Sequence, residues 1–93
     1  MADIQVETTE RNDVYEFEVT VSEGGSHTRH QVTLTSSDYE RLTGGEASPE
    51  ALVEESFRFL LEREPKESIL RSFDLTIINR YFPGYDRKIA QRL

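Results

Sequence analysis

The sequence predicts an α+β domain: a three-stranded antiparallel β-meander packed against one main helix and several short C-terminal helices. Three observations carry that expectation. Apolar and polar residues alternate strictly through the first third. A capped segment with a broad apolar stripe begins at Ser48. Strands come first and helices after, in a chain of 93 residues with room for one core. The expected domain spans residues 1–93, with the meander over 3–35 and the helical part over 37–91.

Each strand is read from its period. In VYEFEVTV, Tyr15, Phe17, Val19 and Val21 alternate with Glu16, Glu18 and Thr20. Successive strand side chains point to opposite faces, so the aromatics share one face and the glutamates the other. Gly24 and Gly25 then supply a turn needing positive φ. In HTRHQVTLT, His30, Val32 and Leu34 fall on one face and Arg29, Gln31 and Thr33 on the other. Ile4, Val6 and Thr8 repeat the pattern upstream, with ERND turning that strand into the next.

Helical signals follow. SDYE has the form of a capping box, with Ser37 as N-cap and Glu40 three residues later, and Gly44-Gly45 stops that short helix. In SPEALVEESFRFLLERE, Ser48 caps, Pro49 takes the first helical position and Glu50 suits the positive end of the dipole. Val53, Phe57, Leu60 and Leu61, flanked by Leu52 and Ser56, make the apolar stripe, and Pro65 ends the element. ESILRSF reads as a short helix, Asp74 as the cap of another reaching about Phe82, and YDRKIAQRL as a last turn or two.

Composition excludes several kinds of chemistry. There is no cysteine, so disulfides and thiolate metal sites are ruled out. No apolar run approaches the roughly 18 residues of a membrane span, and MADIQVETTE lacks a signal pattern, so a cytoplasmic protein without membrane contact is expected. The net charge of −7 opposes nonspecific attraction to nucleic acid. That charge is uneven: Met1–Glu64 holds 15 acidic and 5 basic side chains, Pro65–Leu93 only 3 acidic and 6 basic.

Candidate constellations are few. His27 and His30 have a ligand-like spacing, but on a strand positions three apart diverge. Glu16 with Glu18, and Glu54 with Glu55, lie on faces expected to be wet, where nothing would separate their pKa values. No G-x-S-x-G elbow and no phosphate loop is present, and Glu46 and Glu50 would compete with an anion at the Ser48 helix start. No catalytic residue, metal ligand or cofactor is therefore assigned. What remains is the basic and aromatic C-terminal third, where Arg71, Arg80, Tyr85, Arg87, Lys88 and Arg92 are candidate contacts to a partner or to nucleic acid. The competing reading makes those helices a lid on the core and their arginines counter-charges for the acidic half.

The segment Ser48–Tyr85 resembles a family of small uncharacterised bacterial proteins. The resemblance rests on SPE at Ser48–Glu50, on the SF, F and LLERE of Ser56–Glu64, and on the SIL and F of Ser68–Phe73 with Leu75. Ile78 and the YFP and Y of Tyr81–Tyr85 complete it. It implies no activity, and no catalytic residue is carried over from it. The resulting expectation is a non-enzymatic protein-interaction module that binds another protein, or a second copy through a sheet edge. The alternative is nucleic-acid binding through the basic C-terminal third.

Overall fold

Two tight hairpins set the register of the sheet. In the computed structural model, which describes residues 2–93, β1 (Asp3–Arg11), β2 (Val14–Glu23) and β3 (Ser26–Thr35) are antiparallel neighbours. Both loops are two residues long, since Arg11 faces Val14 and Glu23 faces Ser26. All four loop residues have positive φ, as a turn matching the strand twist requires. Glycine adopts it freely at Gly24 and Gly25; Asn12 and Asp13 are the non-glycine types that tolerate it best. Across the strands Ile4 meets Val21, Val6 meets Val19, Phe17 meets Val32 and Val19 meets His30. The expected apolar face is therefore the buried one.

The sheet has a fourth strand, which corrects the three-stranded expectation. β4 (Ser72–Asp74) lies parallel to β3, pairing Gln31 with Ser72, Val32 with Phe73 and Thr33 with Asp74. The sheet is therefore mixed, in the order β1-β2-β3-β4. These residues were expected at the end of a helix. Only Lys66–Ser68 coils there, as a single 3₁₀ turn. The open edge of β3 draws the following residues out: Gln31 N–H donates to the Arg71 carbonyl at 2.8 Å and the His30 ring bonds the Leu70 carbonyl at 2.7 Å. Local helix propensity is worth only tenths of a kcal/mol per residue. Unpaired backbone on a half-buried edge costs more than that.

α1 (Ser36–Thr43) starts two residues earlier than the capping box implies. Thr35, the last residue of β3, is the N-cap, and its hydroxyl accepts from Asp38 N–H at 3.1 Å. Strand and helix thus abut without a linker, and Ser36 N–H is tied back to the Asp13 carbonyl in the first turn at 2.8 Å. α2 (Pro49–Leu61) begins as expected, with the Ser48 hydroxyl accepting from Ala51 N–H.

α2 is buried on two sides, more than a single stripe provides. Phe57 faces the sheet, with its ring centroid 5.3 Å from His30 and 6.0 Å from Phe73. Phe59, outside the expected stripe, is 1 % exposed and lies 5.3 Å from Tyr85 and 6.1 Å from Phe82. The second side is covered by α4 (Tyr85–Arg92), which plants Tyr85 and Ile89 in the core. Between them Leu75–Ile77 forms a 3₁₀ turn, capped by Asp74 as expected, that runs into α3 (Ile78–Tyr81). The Cα radius of gyration is 12.4 Å, close to the roughly 12 Å of one domain this long.

Candidate functional site

A groove of about 350 Å³ opens where the end of α2, the loop before β4 and α3 converge. Leu60 comes from α2 and Phe73 from β4, while Ser68, Ile69 and Leu70 come from the intervening loop. Ile77, Ile78, Tyr81 and Phe82 form the opposite wall. The walls are held by burial beneath them: Ile69, Leu75 and Ile78 are all in the core. Leu70 and Tyr81 are not. They are 45 % and 62 % exposed, two of the three large apolar residues the described chain leaves in water. The Leu70 carbonyl is held by the buried His30 ring, while its side chain stays at the rim of the groove.

Glu64 is the one charged residue in the lining. Its N–H donates to the Leu60 carbonyl at 2.9 Å just beyond α2. Burial alone raises its pKa above the usual carboxylate range. The two cations nearest to Glu64 in sequence, Arg63 and Lys66, are engaged elsewhere. Arg63 lies 3.6 Å over the Phe59 ring and bonds the Phe59 carbonyl and Glu62. Lys66, itself buried, places Nζ 2.7 Å from Glu67. The groove therefore presents two hydroxyls, of Ser68 and Tyr81, and one carboxylate in an otherwise apolar wall, with neither a histidine nor a cation lining it.

The basic residues read from the sequence do not form one set. Tyr85 is fully buried, which removes it from any contact surface. Its hydroxyl meets the Ser56 hydroxyl, which spends its own hydrogen on the Leu52 carbonyl, so Tyr85 donates and Ser56 accepts. Burial pushes the Tyr85 phenol far above its ordinary pKa. Arg92 is half-buried and grips Glu62 with Nη2 2.6 Å from Oε1, an ion pair between α4 and the end of α2. Arg71, Arg80, Arg87 and Lys88 are exposed, and none forms an ion pair among the described residues. Arg80 on α3 and Arg87 with Lys88 on α4 are on neighbouring helices, joined where Asp86 N–H donates to Asn79 Oδ1. Arg71 stands apart beside β3. The residue between the two expected C-terminal helices is strand, so no helix-turn-helix forms there.

His30 and His27 occupy opposite faces of β3, one buried and one exposed. Both His30 nitrogens are engaged: Nδ1 must donate to the Leu70 carbonyl, leaving Nε2 to accept from the Thr28 hydroxyl at 2.8 Å. Burial lowers its pKa, so the neutral tautomer is the one the site holds. The open face of the sheet carries Glu7 directly across from Glu18, with Gln31 donating to Glu18 at 3.3 Å. The described residues hold no group of three or more metal-ligating side chains.

Sequence reasoning missed the groove because its walls come from four separate elements. Part of the signal was there: Ile69, Phe73 and Leu75 are apolar at odd positions, with polar Ser72 and Asp74 between, a strand period interrupted by Arg71. No family model, curated protein or solved structure matches this chain.

Proposed function

We propose that this protein is a non-enzymatic interaction module that docks a partner protein in the groove between α2 and α3. The observation that carries the reading is the exposure of Leu70 and Tyr81 on the rim of an apolar cleft. Large apolar side chains gathered around a concave surface gain free energy by being covered, at about 25 cal/mol per Å² of apolar area. Two groups of the kind that do chemistry are already committed: His30 to Thr28 and Leu70, Ser56 to Leu52 and Tyr85. The outer side of β1 is a second contact surface, nine residues long and unpaired in the sheet, on which a second copy could add. Its exposed Asp3, Glu7, Glu10 and Arg11 make it a charged edge that resists such pairing, so the groove is preferred.

A tagged pull-down from native lysate, run with and without nuclease, compares the wild type with Leu70→Glu. A protein retained through nuclease by the wild type and lost by the variant supports groove docking. Retention by both refutes the groove as the contact. Nucleic-acid binding through Arg80, Arg87 and Lys88 is the second reading, favoured by their exposure and their lack of ion-pair partners among the described residues. Recovery of nucleic acid, weakened by salt and by Arg80→Glu with Arg87→Glu, would move the site to α3 and α4.

A further inference from the structure

We propose that the segment docking in this groove carries a lysine or arginine beside its apolar anchors, with the cationic head seated on Glu64. The inference deepens the docking reading and rests on it. The argument is charge complementarity. Glu64 is half-buried among apolar walls, and no lysine, arginine or histidine of the described residues forms an ion pair with it. Its neighbours in sequence are spoken for, Arg63 on Phe59 and Glu62, Lys66 on Glu67. The desolvation of its carboxylate is thus offset by no opposite charge within the chain, as its raised pKa reflects.

Three kinds of occupant differ in what they do to that carboxylate. An acidic segment brings a like charge into a cleft of reduced dielectric and is repelled. A neutral apolar segment removes the remaining water from Glu64 and must protonate it or bury it unpaired, both at a cost. A basic segment gives the carboxylate the charge-assisted hydrogen bonds it lacks, while its apolar side chains cover Leu70 and Tyr81. A chain of net charge −7 also attracts a basic partner at long range. Only the basic occupant improves both halves of the site.

The test selects a random peptide library displayed on phage against the full chain, removing clones that Leu70→Glu also retains. Thermal melts first establish that Leu70→Glu and Glu64→Gln are folded. The expected clones pair a bulky apolar anchor with Lys or Arg at a fixed spacing. A synthetic peptide made from them should lose about tenfold or more in affinity for Glu64→Gln. Replacing its basic residue by norleucine should weaken binding to the wild type but not to Glu64→Gln. Groove-dependent clones with no basic enrichment, and no loss with Glu64→Gln, overturn the role of Glu64 and leave the docking reading standing. An absence of Leu70-dependent clones overturns both. Concentration-dependent dimerisation of the wild type that Leu70→Glu abolishes makes a second copy the occupant and overturns the peptide.

Discussion

The hydrogen bond from Tyr85 to Ser56 joins α4 to α2 inside the core, and its direction makes the two halves of the pair unequal. Ser56→Ala removes the acceptor and leaves the Tyr85 hydroxyl buried with nothing to receive its proton, at about 2 kcal/mol. Alanine returns about 0.5 kcal/mol of helix propensity at that mid-helix position, for a net loss of about 1.5 kcal/mol. Tyr85→Phe removes the donor but leaves Ser56 bonded to the Leu52 carbonyl, so it costs about 1 kcal/mol. The double variant removes both polar partners and should be no less stable than Ser56→Ala alone. The coupling between the two changes is thus about 1 to 2 kcal/mol, and the propensity gain cancels in it. For 93 residues, 1 kcal/mol moves Tm by about 5 °C, so calorimetry or urea titration resolves all three variants. Additivity of the two single changes to within about 0.4 kcal/mol would refute the bond and the direction assigned to it.

His30 predicts a pH dependence of stability. Burial lowers its folded pKa, with the bond to Leu70 working the other way and the charge of Arg71 adding to the lowering. The unfolded chain therefore takes up the proton first, near pH 6.5. The contribution of the neutral ring is complete above that pH and is lost as pH falls below it, levelling off beneath the folded pKa. For a single proton the slope is bounded by about 1.4 kcal/mol per pH unit. Urea titrations between about pH 7.5 and 5 should show a shallower slope for His30→Gln, whatever its absolute stability; equal slopes would count against the assignment. The arginines should separate by the company they keep. Arg92→Ala should lose up to about 1 kcal/mol with its pair to Glu62, while Arg80→Ala and Arg87→Ala should stay within about 0.5 kcal/mol of the wild type. A large loss from either of the latter would reveal a structural partner for it.

Particular residues show why some of this was readable and some was not. The hairpin register could be read because Tyr15, Phe17, Val19 and Val21 alternate with polar residues and the turns are two residues long. The start of α2 was readable because Ser48 and Pro49 act within one turn of themselves. β4 was not. Ser72–Asp74 is too short to announce itself, and its pairing partner lies some forty positions upstream, in β3. Tyr85 and Arg92 looked alike as members of a basic, aromatic tail; one is in the core and the other holds Glu62. The shift of the first cap from Ser37 to Thr35 has a similar origin, because the strand ends against the turn at Asp13 and only Thr35 is extended there.

The α+β class, the meander and the capped main helix were determined by the sequence itself, because each depends on neighbours within a few residues and on the period of burial. Tertiary structure decided the fourth strand, the second buried side of α2 and the groove with its lone carboxylate. Those features depend on which free edges and apolar faces meet after the chain has folded back. The burial of Phe59 on the second side of α2, and the bond that ties the Leu70 carbonyl to His30, exist only once distant segments are in contact.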